Sequence, residues 1–454
     1  MNICKGLAFV PLALLIACSG DDSSPTTPST ESSSSEGTPG IPDGGNPGDG
    51  GNAPAAVSLP STANGTIPDA QYPIWKSRWV ISMAQEVAGG STMDYSFYST
   101  KYPNAIRVRW DTSDDNCLVD GLTSIDGKNL TEMMNKQTGC SVSEGIGYGM
   151  LISLFNNDQT VFDGLWAYNQ GARGFSGGNL MPWRLASFNR VLDATSALDA
   201  DLDIASALIL AYYKWGNQAY LDDAKNIVNT IYELGIHPDT KLLLPGPNWK
   251  LKDTYNLSYF SPVAFRLFAK VDQAHPWNEV LDAHYAYMQK VQDAGATKAV
   301  FPDWSNAAGE AYYAGSSGIA KKTYMLYFQE SVRIPWRIAW DYYWFADERA
   351  GAILKKLGDF VAAKSNNDPA QLPQYAVNYL DGTDAINPTK GEHYLGAACL
   401  SGLGVNAAWA DACTSYFNGF EMSTTAGYSG NYFKQILQMM YSSLLNGKFV
   451  KPNL

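Results

Sequence analysis

Charged residues make up only 17% of this 454-residue chain, and the formal net charge is −12. Basic clusters able to neutralise a phosphate backbone are missing, which argues against a nucleic-acid partner. Histidine is scarce: His237, His275, His284 and His393 are scattered without a His-Glu-x-x-His spacing, and no Cys-x-x-Cys pair occurs. A transition-metal site therefore has little support, and neither metal nor cofactor is expected. Long apolar runs are lacking too. The run Leu7 to Ala17 is short for a bilayer span. Glycines 145, 147 and 149 suggest a dinucleotide loop, but Cys140-Ser141-Val142-Ser143-Glu144 precedes them where that fingerprint needs an apolar strand. Gly174-Phe175-Ser176-Gly177-Gly178 has the spacing of a nucleophile elbow; Asn-Gln-Gly-Ala-Arg before it and Pro182 after it do not give the strand and helix that a serine hydrolase requires.

Aromatic side chains are abundant: 13 Trp, 27 Tyr and 17 Phe. Much of this serves a core, and flat rings with polar tips also suit surfaces that stack on ring-shaped ligands. At the N-terminus, Lys5 and the apolar run ending Leu15-Ile16-Ala17-Cys18 resemble a bacterial lipoprotein signal over residues 1–18, with Cys18 as the lipidated residue; an ordinary secretory signal is the alternative. Either implies export, and the first places the protein at the outer membrane or cell surface. Residues 19–56, rich in Ser, Thr, Pro and Gly, bury too little to offset their ordering entropy and read as a disordered tether. Residues 57–454 then form one domain. An exported chain meets oxidising conditions, and the economical pairing of its remaining cysteines is Cys117 with Cys140 and Cys399 with Cys413, although four cysteines allow three connectivities.

Helical periodicity dominates that domain. Helices are expected over Ile204 to Trp215, Tyr220 to Leu234, Ser261 to Val271, Trp277 to Ala294, Arg337 to Ser365 and Tyr432 to Leu445, with loops such as Gly171 to Trp183, Leu244 to Trp249 and Phe301 to Gly318 between them. Alternating strands are missing, so the class is all-α. Three acidic stretches stand out. Glu144 lies among small and apolar residues, where burial would raise its pKa and make it a proton donor; the structural alternative is a first helical turn capped by Ser143. Asp199, Asp201 and Asp203 alternate directly before a helix, more carboxylates than a cap requires. Glu330 stands three residues before Arg333 and seven before Arg337, with Pro335 marking a helix start.

Together these stretches resemble glycoside hydrolase family 8. Ser143-Glu144-Gly145 with Gly147-Tyr148-Gly149-Met150 looks like the segment carrying that family's general acid. Ala197-Leu198-Asp199-Ala200-Asp201-Leu202-Asp203 looks like its signature, with Leu198 where Ser or Thr is usual. Leu180-Met181-Pro182-Trp183 and Leu244 to Trp249 are similar to its tryptophan loops, and Asn256 to Pro262 to its Asn-Pro-Ser-Tyr block, with Leu257 replacing Pro. Pro302-Asp303-Trp304 and Arg333 to Arg337 follow in order. The resemblance implies an (α/α)6 barrel, a six-hairpin toroid, and an inverting endo-β-1,4-glycanase that cuts cellulose or a β-glucan first; an endo-β-1,4-xylanase or a reducing-end xylose-releasing exo-oligoxylanase of the same family is the alternative. It assigns Glu144 as acid, Glu330 as base and Asp199 as the carboxylate at the scissile sugar. Trp183, Trp249, Tyr259, Arg333, Tyr148 and Asp201 are then expected at the substrate, Tyr259 holding the attacking water. Many members have Asp where this chain has Glu330, which leaves Glu310 as a competing base. A chain that has lost its base would be a surface carbohydrate-binding lipoprotein without catalysis, the other class of function compatible with these residues. A monomer is expected.

Overall fold

The computed structural model describes residues 56–110, 124–125, 128–129, 140–247, 254–312, 329–372, 377, 379, 381–384, 391–424 and 432–454. Cys18, Cys117 and Trp249 lie outside these residues, as do the signal and most of the tether. All described elements belong to the compact unit Pro54–Leu454.

Among the described residues, twelve of the α-helices build the barrel: α1 (Thr66–Trp79), α2 (Ser143–Phe155), α3 (Gln159–Ser176), α4 (Leu198–Trp215), α5 (Gln218–Gly235), α6 (Pro262–Val271), α7 (Trp277–Ala294), α8 (Ile334–Phe345), α9 (Glu348–Lys364), α10 (Glu392–Leu400), α11 (Ala407–Phe417) and α12 (Tyr432–Leu445); the short helices Met83–Ala88 and Ser96–Lys101 stand beside it. Even-numbered helices form an inner ring. Each packs on the next, and α12 returns to α2. Odd-numbered helices lie outside, antiparallel to their partners, which makes an (α/α)6 barrel as expected.

Burial explains the sequence patterns. In α4 every residue from Leu198 to Ala211 is buried, so this inner helix is covered all round, its three aspartates included, whereas outer α5 buries a single stripe from Tyr220 to Ile231. Cys399 and Cys413 form the expected disulfide, with Cα atoms 5.1 Å apart, and tie α10 to α11. Cys140 is disulfide-bonded as well. Two helical readings need correction. The stretch Arg337 to Ser365 is not one helix, because Ala346 takes a left-handed φ of 51° and splits it into α8 and α9. The loop read from Gly171 begins later: α3 continues to Ser176 and stops at left-handed Gly177. Most aromatic rings belong to the core; among the described residues Tyr416, 41% exposed, is the one aromatic side chain that is largely exposed.

Candidate active site

Inner helices run in parallel, so their N-termini and the loops before them meet at one end of the barrel. Partial positive charge gathers there. Glu144 in the first turn of α2 and Asp199 in the first turn of α4 both point into it.

Arg333 joins the carboxylates. Its Nη1 donates to Glu144 Oε2 at 2.7 Å and to Asp199 Oδ2 at 2.8 Å, while Nη2 donates to Glu330 Oε2. The guanidinium is 4% exposed, so these bonds form in a poorly solvated place where they are strong. Tyr432, at the start of α12, donates its hydroxyl to Glu144 Oε1 at 3.1 Å. Asn256 Nδ2 donates to Glu330 Oε2 at 2.7 Å, and Ser258 donates more weakly at 3.4 Å. The half-buried Tyr259 ring lies against the guanidinium, 5.5 Å from its carbon. Asp199 Oδ1 is buried without a hydrogen-bond partner among the described residues.

Burial sets the acidities. It raises Glu144, with Glu330 and Asp203 adding to the effect and Arg333 and Tyr432 opposing it. It lifts Asp199 to about 7, against Arg333 and with help from Glu144. The site therefore holds a buried carboxyl biased toward its protonated form and a second carboxylate across one arginine from it. One group can give a proton while the other takes one.

Close helix packing explains the glycine run that resembled a nucleotide loop. A Cβ on Gly145 would stand 2.8 Å from the Tyr432 hydroxyl, and one on Gly147 would stand 3.0 Å from Asp203 Cβ. These glycines let α12 and α4 approach α2. Ser143 does not cap: Val142 is the N-cap residue, and Ser143 N instead donates to the Trp183 carbonyl at 2.9 Å. That bond continues the pairing of Ser141–Val142 with Arg184–Ala186 and holds the Trp183 main chain at the start of α2. Trp183 is half-buried, with Arg184 over one face at 4.6 Å and Trp110 against it edge-on.

The three alternating aspartates have separate tasks, and none caps α4. Spacing of four residues puts Asp199 and Asp203 on one face, where Asp199 meets Arg333 and Asp203 pairs with Arg337 through both oxygens. Asp201 faces away. Expected at the substrate, it is instead 1% exposed and accepts a hydrogen bond from Met181 N at 2.8 Å, bracing the Met181-Pro182-Trp183 loop. Tyr148, also expected there, is wholly buried, its ring packed edge-on to Trp336. Glu310 is exposed and bonded to Asn306, on no contact with Arg333. Tyr432, Asn256 and Ser258 were not recognised as site residues from sequence. The last two fall in the Asn-Pro-Ser-Tyr-like block, which was the available signal; Tyr432 had none. Among the described residues no group of acidic, His or Cys side chains could hold a metal ion.

Burial also lifts Asp201 to about 8, with its hydrogen bond from Met181 and the charge of Arg173 opposing the rise. An unfolded aspartate loses its proton near pH 4, so the folded protein holds this proton between roughly pH 4 and 8 and the stabilisation disappears as pH rises through that window. Asp201→Asn keeps the acceptor for Met181 N and does not ionise. Its melting temperature should lie close to that of the wild type at pH 4 and exceed it at pH 8.5; equal shifts at both values would refute the assignment.

The sequence model for glycosyl hydrolases family 8 matches residues 124–446, a span that contains every site residue described above. This chain belongs to that family. Endoglucanase A of Acetivibrio thermocellus is 30% identical over 322 residues, 69% of this chain and 63% of that protein. Endoglucanase 2 of Ruminiclostridium josui is 31% identical over 320 residues, 69% of this chain and 65% of that one. The match thus spans less than two thirds of either relative. Among solved structures, the apo β-1,3-1,4-glucanase from Paenibacillus sp. X4 superposes with a TM-score of 0.66 at 20% identity, over 87% of this chain and 96% of that one. Rex8A from Paenibacillus barcinonensis, complexed with xylose, gives 0.58 at 19% identity over 69% and 84%. These two share the fold of this family 8 member.

Proposed function

We propose that this chain is an inverting, endo-acting β-1,4-glycanase whose first substrate is cellulose or a related β-glucan. The observation that carries the reading is the Arg333 bridge, which gathers Glu144, Asp199 and Glu330 at the open end of the barrel. Glu144 protonates the leaving glycosidic oxygen. Glu330 takes a proton from water, which attacks the anomeric carbon from the opposite face, a geometry in which the two carboxyls stand roughly 6.5–9.5 Å apart once sugar lies between them. Asp199 accepts hydrogen bonds from hydroxyls of the sugar at the scissile bond through its unpartnered oxygen, and Tyr259 holds the water. Trp183 stacks on a neighbouring ring with its open face. The names of the relatives support a glucan ahead of xylan. The Cys18 signal and the tether support an exported lipoprotein that meets its polymer outside the cell, and the domain boundary near residue 57 follows from the same composition change.

The test is reducing-sugar release from carboxymethyl-cellulose, lichenan, xylan and chitosan, with the first anomer formed followed by NMR and polymer viscosity followed alongside. We expect cleavage of a β-glucan, initial α-anomer and an early fall in viscosity. Preference for xylan would change the substrate and keep the mechanism. Initial β-anomer would refute inversion, and silence on all four polymers would favour the non-catalytic binding protein.

A further inference from the structure

Glu330 is the N-cap residue of the 3-10 turn Ser331–Arg333, yet its side chain makes no capping bond. The carboxylate is turned away, to Arg333, Asn256 and Ser258. The main-chain donor at the start of the turn is met from a different loop. Ser331 N donates to Asp303 Oδ1 at 3.0 Å, and the Glu330 main chain and Ser331 hydroxyl stabilise the Asp303 carboxylate as well. Asp303 is 8% exposed and has no place in the chemistry described so far.

Its position follows from a two-stranded ribbon, Thr254–Tyr255 paired with Ser305–Asn306, in which Tyr255 stands opposite Ser305. One strand runs on into Asn256 and Ser258, which hold the Glu330 carboxylate. The other is preceded by Asp303, which holds the main chain at Glu330 and Ser331. A single ribbon grips both ends of one residue. That matters for a glutamate, whose three side-chain torsions must be restrained if its carboxylate is to stay aimed at a water.

We propose that Asp303 is a positioning residue for Glu330, acting as a cap supplied from outside the helix that fixes where the base starts its reach. The proposal rests on Glu330 being the general base. Burial and the charge of Glu330 lift the Asp303 carboxyl to about 7, against the hydrogen bonds it receives. Protonated or not, it keeps an oxygen for Ser331 N, so the grip depends on the acceptor rather than on the charge.

The experiment compares the full-length wild type with Asp303→Ala, Asp303→Asn and Glu330→Ala, with Asp303→Ser as a second truncation should the alanine variant not fold. The substrate is the soluble polymer that the wild type cleaves fastest among carboxymethyl-cellulose, lichenan and xylan, with and without added azide. Asp303→Ala should lower kcat about 30-fold, less than outright loss of an acid or base, and leave KM within about twofold. Asp303→Asn, which retains the acceptor, should stay within about threefold of wild type. Azide needs no base: its terminal nitrogen bonds to the anomeric carbon as the glycosidic C–O bond breaks and Glu144 protonates the leaving oxygen, giving an α-glycosyl azide. It should partly restore both Asp303→Ala and Glu330→Ala, a response that a merely damaged fold would not give. Near-normal kcat in Asp303→Ala, equal loss in the asparagine variant, or azide rescue confined to Glu330→Ala would overturn the role of Asp303. Wild-type turnover in Glu330→Ala, or no azide response there, would instead remove Glu330 as the base.

Discussion

Glu144→Gln should lower kcat on unactivated oligosaccharides by about 10³-fold while leaving substrate binding nearly unchanged, because general acid catalysis contributes typically 10²–10⁴ and the amide is isosteric. Arg333 and Tyr432, the two groups that bond Glu144, remain to hold the amide in place. A substrate with a good leaving group, such as a dinitrophenyl glycoside, needs little protonation and should lose far less. The pH profile supplies a separate check. Burial raises Glu144 above the usual carboxyl value, and in the proposed mechanism the protonated form is the active one. Activity is therefore complete below that pKa and falls as pH rises through it, so the alkaline limb of kcat/KM should lie above the ordinary carboxyl range. Glu144→Gln should abolish that limb. Retention of more than a tenth of wild-type kcat on an unactivated oligosaccharide would require another proton donor.

Arg337→Leu should cost about 3–5 kcal/mol of stability, the usual penalty for stranding one partner of a buried ion pair. Arg337 is wholly buried and Asp203 is 1% exposed, and they are joined by two hydrogen bonds, that from Nη2 to Oδ2 being 2.8 Å. Arg337 Nε also donates to the Ser258 carbonyl at 3.2 Å, and the guanidinium stacks 4.2 Å from the Trp336 ring. Removing the cation leaves a carboxylate in the wall between α4 and α8. It will take up a proton, so the loss should be smallest in acid and grow as pH rises. Replacing both partners, as in Asp203→Leu with Arg337→Leu, should recover much of the stability. Denaturant midpoints for the two single variants and the double variant measure this directly. A loss below about 1 kcal/mol in Arg337→Leu would show that water reaches Asp203 and that the pair is not dry.

Both predictions concern residues with unequal visibility in the chain. Glu144 stood out because its neighbours are small and apolar, and Pro335 marked the start of α8, whose first turn it occupies. Helix α7 was legible from Trp277 to Ala294 because an outer helix carries one apolar stripe. The two helices on either side of Ala346 were read as one, since nothing local announces that an alanine will adopt a left-handed turn. The aspartate triplet was visible as an excess of charge, but its division of labour was not. That division depends on which wall each face of α4 meets.

Sequence alone determined the helical class, the family and the acid candidate, because each of these is written in neighbouring residues or in blocks with a set order; it left three cysteine connectivities open, and the structure shows the Cys399–Cys413 bond. Tertiary structure decided which side chains meet. Arg333 reaches Glu144 across 189 positions, Asn256 reaches Glu330 across 74, and Tyr432 reaches Glu144 across 288. Such pairs are selected when parallel inner helices close into a ring and bring their N-termini to one end. Until then, burial has not shifted any carboxyl and no guanidinium stands between Glu144 and Glu330.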